Sequence, residues 1–133
     1  MLRRATKRAP HLADGQAAEN FALEYLQRQG LQLLTRNYHC YFGELDLVMS
    51  HGPELIIVEV RYRRRDGPVS ALASIGPRKR ARILRAAQHY LQSHTARAEQ
   101  AMRFDVVAVT GPRQARRLQW LQGAFDATDL HQG

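Results

Sequence analysis

Gly43-Glu-Leu-Asp-Leu-Val-Met-Ser-His-Gly-Pro-Glu-Leu-Ile-Ile-Val-Glu-Val-Arg-Tyr-Arg63 reads as two strands and the turn between them. Glu44 to Met49 is one strand and Ser50-His-Gly-Pro53 the turn signal. Glu54 to Tyr62, with its apolar run Leu55-Ile-Ile-Val58, is the other. So tight a connection predicts antiparallel pairing. Residues two apart on a strand point to one face, so Glu44 and Asp46 share a face of the first strand, and Glu59 and Arg61 share one of the second. A turn centred between Gly52 and Pro53 places Asp46 opposite Glu59, whereas a slip by two residues places Glu44 there instead. Both registers leave the three carboxylates on one face, because only an odd shift separates them.

Outward from this pair, Asp14 is placed to cap a helix whose apolar positions Ala18, Phe21, Ala22, Tyr25 and Leu26 recur at helical spacing, and Gly30 stops it. Leu31 to Tyr41 is a strand. Arg63 to Gly76 is a polar loop containing Gly and Pro. Pro77 then opens a helix to about His94, with Ile83, Ala87, Tyr90 and Leu91 on its inner face. Met102 to Val109 is a strand ended by Thr110-Gly-Pro112, and Arg116 to Leu121 is a last short one. The order α-β-β-β-α-β-β, without internal repeat or interior linker, predicts one α/β domain over residues 12–130, its helices packed on a mixed sheet. Residues 1–11, with Arg3, Arg4, Lys7 and Arg8, are expected to form a flexible basic arm.

Composition bounds the function. No stretch approaches the roughly 20 apolar residues of a membrane-spanning helix, and the basic N-terminus lacks the apolar region of a secretory signal. A lone cysteine, Cys40, forbids a disulfide within the chain and fits a reducing, cytoplasmic compartment. The formal charge is +8, and all but two of the 20 basic residues (Lys7 and Lys79) are Arg. The planar Arg fork matches phosphate geometry, so the excess points to nucleic acid. A genome rich in G and C would explain the ratio of Arg to Lys, but not the excess of charge.

Carboxylates that face one another across a sheet repel, and burial makes this worse. A hard divalent cation such as Mg²⁺ or Mn²⁺ would compensate, leaving positions for water and phosphate oxygens. Arg61 and neighbouring arginines, neutralising the acids as a surface network, would serve equally. Zinc has little support, since the six scattered histidines show no His-x-x-x-His spacing and no Cys-x-x-Cys pair occurs. Cys40, Tyr90 and Trp120 read as packed residues.

Gly43-Glu-Leu-Asp-Leu-Val48, a turn, and Ile57-Val-Glu-Val-Arg-Tyr-Arg63 resemble the signature of the bacterial YraN family, as do the Gly15-x-x-x-Glu19 helix start and the Asn37-Tyr38 step. That family is in turn similar to the restriction-endonuclease-like fold of archaeal Holliday-junction resolvases, whose core is ordered α-β-β-β-α-β. The resemblance runs from about Gly15 to Phe125. It implies an endonuclease dependent on Mg²⁺ or Mn²⁺ that cuts branched or otherwise unusual DNA. A homodimer is a reasonable assembly, although no sequence feature demonstrates one.

Residue by residue, Asp46 matches the first acid of the Asp…(Asp/Glu)-x-Lys motif and Glu59 the second. Glu19 matches a further helical carboxylate, or is a solvated helix acid. Glu44 matches the Gly-Glu-x-Asp pattern, as an outer or second-metal ligand or as a charge balanced by arginine. The motif's Lys is Arg61 here. Arg keeps its proton and cannot act as a general base, but it can hold a phosphate or stabilise developing charge. Water activation would fall to the metal or to Lys79, which could equally clamp a phosphate. Arg63, Arg64 and Arg65 after the strand, and Arg78, Arg82 and Arg85 on one helix face, form either a solvated surface or a grip on nucleic acid. No recognition helix is visible, so the grip would select structure and not sequence. The alternatives to a nuclease are a nucleic-acid-binding module that keeps the fold without turnover, and an interaction protein whose acids merely pair with arginines.

Overall fold

His51 pairs with Glu54, Val48 with Ile57 and Leu47 with Val58 in an antiparallel ladder. The turn is therefore centred between Gly52 and Pro53, and the next pair along this register is Asp46 with Glu59. The computed structural model describes residues 10–63, 68–97 and 100–126. Along the chain lie α1 (Pro10–Arg28), β1 (Gln32–Cys40), β2 (Gly43–His51), β3 (Glu54–Arg63), α2 (Pro68–Ala73), α3 (Pro77–Ser93), β4 (Ala101–Thr110) and β5 (Arg117–Phe125). The strands form one five-stranded sheet in the order β1-β2-β3-β4-β5. β3 and β4 are parallel, and every other neighbouring pair is antiparallel.

The sheet has an apolar layer on each face. Leu55, Ile57, Phe104 and Val106 pack with Ile75, Ile83, Ala87 and Tyr90 on the side of α3. Ile56, Val58, Val107 and Val109 pack with Ala18, Ala22 and Leu26 of α1 on the other. The unbroken apolar run Leu55-Ile-Ile-Val58 follows from this, because a central strand covered by helices on both faces has no solvent side to alternate with.

Local signals account for most element ends. Gly30, at φ 97°, closes α1: its N–H bonds to Gln27 O and that of Leu31 to Leu26 O, the paired bonds of a Schellman motif. Pro77 opens α3, where a missing N–H costs nothing. Other boundaries differ from expectation. α1 begins at Pro10, so Asp14 lies within the helix and does not cap it. The expected basic arm loses Pro10 and His11 to α1, and its residues 1–9 lie outside the described residues. The loop after β3 contains α2, too short to leave a periodic signature. β5 runs on to Phe125 past Gly123, whose positive φ (60°) suggests a stop. The Gly123 N–H instead donates to buried Asp105 of β4, which keeps the strand attached.

Candidate metal centre

Glu59 ends the buried part of β3. It alternates with Leu55 and Ile57, so it faces the α3 side, and it is only 3% exposed. Asp46 meets it from β2. The Val60 N–H donates to Asp46 Oδ2 at 2.9 Å, which ties the Asp46 carboxylate to the strand that carries Glu59. Burial is the main force holding the Glu59 carboxyl well above the usual carboxylate range. The Asp46 charge and a hydrogen bond shared with Asp46 add to it, while the Lys79 and Arg61 cations pull the other way. Glu59 Oε2 is buried without a hydrogen-bonding partner, and so is Arg61 Nε. A buried carboxylate oxygen with nothing to bond is costly, and a hard cation is one group that would satisfy it.

The charge on Glu59 should therefore weaken the metal-free fold. With its folded value raised above the ordinary 4.5, the carboxyl's stabilising contribution is complete below that pH and is lost as pH rises through the folded value. Glu59→Gln carries no charge at any pH. The variant should match wild type near the acid end and exceed it increasingly towards neutral pH, by about 1–3 kcal/mol, the usual cost of an uncompensated buried polar group. Thermal melts of both proteins across pH, with chelator present, measure this. A difference that does not grow with pH would remove the electrostatic explanation.

The other expected ligands do not join the pair. Among the described residues, no group of three or more His, Cys, Asp or Glu side chains is placed to hold a metal ion. Alternation along β2 breaks beside Asp46: Leu45 packs with Val48 on the α3 side, while Leu47 and Met49 pack against α1. The neighbouring strand is irregular at the same level, where Asn37 (opposite Asp46 by register) takes a left-handed φ of 54°. Simple parity therefore misplaces Glu44. Its side chain is half exposed and lies 3.7 Å from His39 Nδ1. Glu19, on α1, accepts from Arg36 Nε at 2.7 Å and from Asn37 Nδ2 at 3.2 Å. It is a partnered carboxylate, neither a solvated helix acid nor a third member of the pair.

Of the expected grip, Lys79 is the residue whose charge acts on Glu59. With Arg82, Ile83, Gly43 and Glu44 it lines a cleft of about 430 Å³. Arg78, Arg82 and Arg85 are exposed along α3, and Arg63 is half-buried at the end of β3. Arg64 and Arg65 lie outside the described residues. Tyr90 is buried, Trp120 packs partly against the α1 layer and Cys40 partly against the α3 layer. Two features escape the sequence reading. Asn37 carries no sequence signal of its backbone conformation beyond being Asn, the side chain most tolerant of it. Tyr41 and Phe42 form the loop between β1 and β2, and their signal was available: paired aromatics directly before Gly43.

The model of the uncharacterised protein family UPF0102 matches residues 18–109, a span that includes both carboxylates, Arg61 and all of α3. The chain belongs to the UPF0102 family. This is the family that the residues above resemble under the name YraN. A UPF0102 protein of Nitrosococcus oceani is 46% identical over 119 residues, covering 90% of this chain and 96% of the relative. One from Stutzerimonas stutzeri is 47% identical over 115 residues, covering 86% and 96%. One from Pseudomonas putida strain F1 is 53% identical over 113 residues, covering 84% and 92%. Among the described residues of this UPF0102 chain, no helix is long and apolar enough to cross a membrane.

Proposed function

We propose that this UPF0102 protein is a divalent-metal-dependent endonuclease acting on structured DNA, with Asp46 and Glu59 as the residues that hold Mg²⁺ or Mn²⁺. The observation that carries the reading is Glu59 Oε2, buried without a partner beside a second carboxylate and under the influence of two cations. The donor set fits a hard ion, because Mg²⁺ is commonly held by one or two carboxylates and completes its shell with water and phosphate oxygens. When bound, such an ion would polarise the phosphodiester and lower the pKa of a water.

The chain's own residues supply the rest. Asp46 is fixed by the Val60 N–H beside the strand that carries Glu59. Arg61 shares the Glu59 face of β3, and the Lys79 cation of α3 acts on the same carboxyl; in this reading both bind non-bridging phosphate oxygens. Arg61 cannot take the proton of an attacking water, so its role is confined to binding phosphate and stabilising charge. The exposed Arg78, Arg82 and Arg85 continue the positive surface along α3.

The test is a cleavage assay on linear, nicked, flapped and four-way DNA with Mg²⁺ or Mn²⁺, wild type beside Asp46→Ala. Metal-dependent cutting that the substitution removes supports the proposal. A second reading, a binding module without turnover, is favoured by Arg61 at the position of the motif's Lys. It expects salt-sensitive binding to the same DNAs and no cleavage with either ion.

A further inference from the structure

Cys40 pairs with Gly43, so Tyr41 and Phe42 alone make up the loop of the β1–β2 hairpin. Two-residue hairpin loops favour Asn and Gly, whose backbones accept the left-handed conformations that such turns require. Neither Tyr41 nor Phe42 has a positive φ; Gly43 (φ 148°) takes the unusual conformation instead. Turn chemistry therefore gives no reason for two aromatic residues here. Folding gives none either. Tyr41 is 94% exposed and Phe42 40%, and they are the exposed large hydrophobic residues among those described. Phe42 stands edge-on to Tyr41, with ring centroids 5.4 Å apart, and its ring also lies 6.2 Å from that of His89 of α3. The tip thus presents Tyr41 to solvent on a base braced by Phe42.

Its position gives the exposure a use. Gly43, the first residue after the loop, lines the same cleft as Lys79 and Arg82, and a Cβ built on it would lie 3.6 Å from Arg82 Cβ. The cleft lining carries those two cations against the single carboxylate of Glu44, and that carboxylate lies beside His39. A backbone phosphate held by Lys79 and Arg82 would put the adjoining nucleotide at the aromatic tip. Aromatic rings that bases can stack on, next to cations that track phosphates, are the combination that binds unpaired nucleotides without reading sequence.

Resting on the nucleic-acid reading above, we infer that the Tyr41–Phe42 tip stacks on unpaired bases and makes the protein prefer branched or single-stranded sites over continuous duplex. A base inside a duplex keeps both faces covered by its neighbours, so it offers the tip nothing. A base at a branch point or a single-stranded end has a face to give. The tip would then choose where along the DNA the Asp46–Glu59 pair is delivered, while taking no part in the reaction.

The experiment is fluorescence anisotropy in EDTA, so that binding is measured apart from cleavage. Wild type, Tyr41→Ala/Phe42→Ala and Tyr41→Trp are each titrated with a single-stranded oligonucleotide, a four-way junction and a linear duplex. The double variant should bind the first two about tenfold more weakly, within the range for loss of base stacking. Duplex binding should change by less than about twofold, since phosphate contacts are retained. Tyr41→Trp should keep the preference. Equal affinities for wild type and the double variant, or equal losses on all three DNAs, overturn the inference and leave the nuclease proposal standing. Wild type that binds no nucleic acid overturns both. Analytical ultracentrifugation covers the remaining occupant: a wild-type dimer that the double variant splits would make the tip a contact between copies, and would also overturn the inference. Loss of preference in a protein that never cleaves supports the inference and sinks the enzyme.

Discussion

Asp46→Ala should abolish metal-dependent cleavage, by about 1,000-fold or more, while junction binding in EDTA stays within about threefold of wild type. Removing one pre-organised charge-stabilising group typically costs about 10²–10³ in rate, and here the anchor of the ion itself would go as well. Binding should survive because the cations that would hold the DNA, Lys79 and the exposed arginines of α3, are untouched. The substitution has a structural side effect that must be separated from the chemical one. Asp46 Oδ2 accepts the Val60 N–H, and an N–H left unpaired in a half-buried site costs about 1–3 kcal/mol. Asp46→Asn is the control: its side-chain oxygen can keep that bond while the charge is lost. If Asn cleaves as well as Asp, the carboxylate is not a metal ligand. If Asn is as inactive as Ala but melts like wild type, the loss belongs to the chemistry.

The largest effect on stability should come from a residue outside the site. Asp105 is fully buried on β4 and accepts four hydrogen bonds: from Arg103 Nε and Nη2 at 2.9 Å each, from Trp120 Nε1 at 2.8 Å and from the Gly123 N–H at 2.9 Å. Two of these donors belong to β5, so this one carboxylate fastens an edge strand to its neighbour across a break in the ladder between Phe104 and Val106. Asp105→Ala would leave the Arg103 guanidinium, only 22% exposed, with Glu54 in place of two acidic partners, and would take the acceptor from the Trp120 and Gly123 N–H groups. Breaking a buried charge pair from one side costs about 3–5 kcal/mol, against a total stability of about 5–15 kcal/mol for a typical domain. Urea unfolding followed by Trp120 fluorescence should show the midpoint falling accordingly. Trp120 is the only tryptophan, so its signal reports on β5 itself. A loss below about 1 kcal/mol would mean that the network is solvated and replaceable.

The sequence states the frame of the molecule more fully than its details. Gly30 and Pro77 mark helix ends through backbone chemistry that only those residues supply. The turn at Gly52-Pro53 fixes the β2–β3 register, and with it the facing of Asp46 and Glu59. Reasoning from alternation failed where alternation itself failed. The face change between Leu45 and Leu47, matched by the left-handed Asn37, is set by how three strands fit together, and no pair of residues in β2 announces it. Glu19 was legible as a carboxylate of interest but not as the partner of Arg36, because that contact depends on how α1 folds back on β1. The extension of β5 was hidden for a similar reason: Gly123 looks like a stop until Asp105, on another strand, takes its N–H.

The topology also sets an order of assembly. β1, β2 and β3 are joined by the two-residue loop Tyr41-Phe42 and the turn at Gly52-Pro53, so the pairing that brings Asp46 to Glu59 uses only short-range contacts. The parallel β3–β4 pairing must instead wait for a crossover that carries α2 and α3. Short-range pairing closes small loops at low entropic cost and forms early, whereas long-range pairing is slow. During synthesis the carboxylate pair can therefore meet before the helix that brings Lys79 has left the ribosome, and docking of that helix becomes the step that buries Glu59.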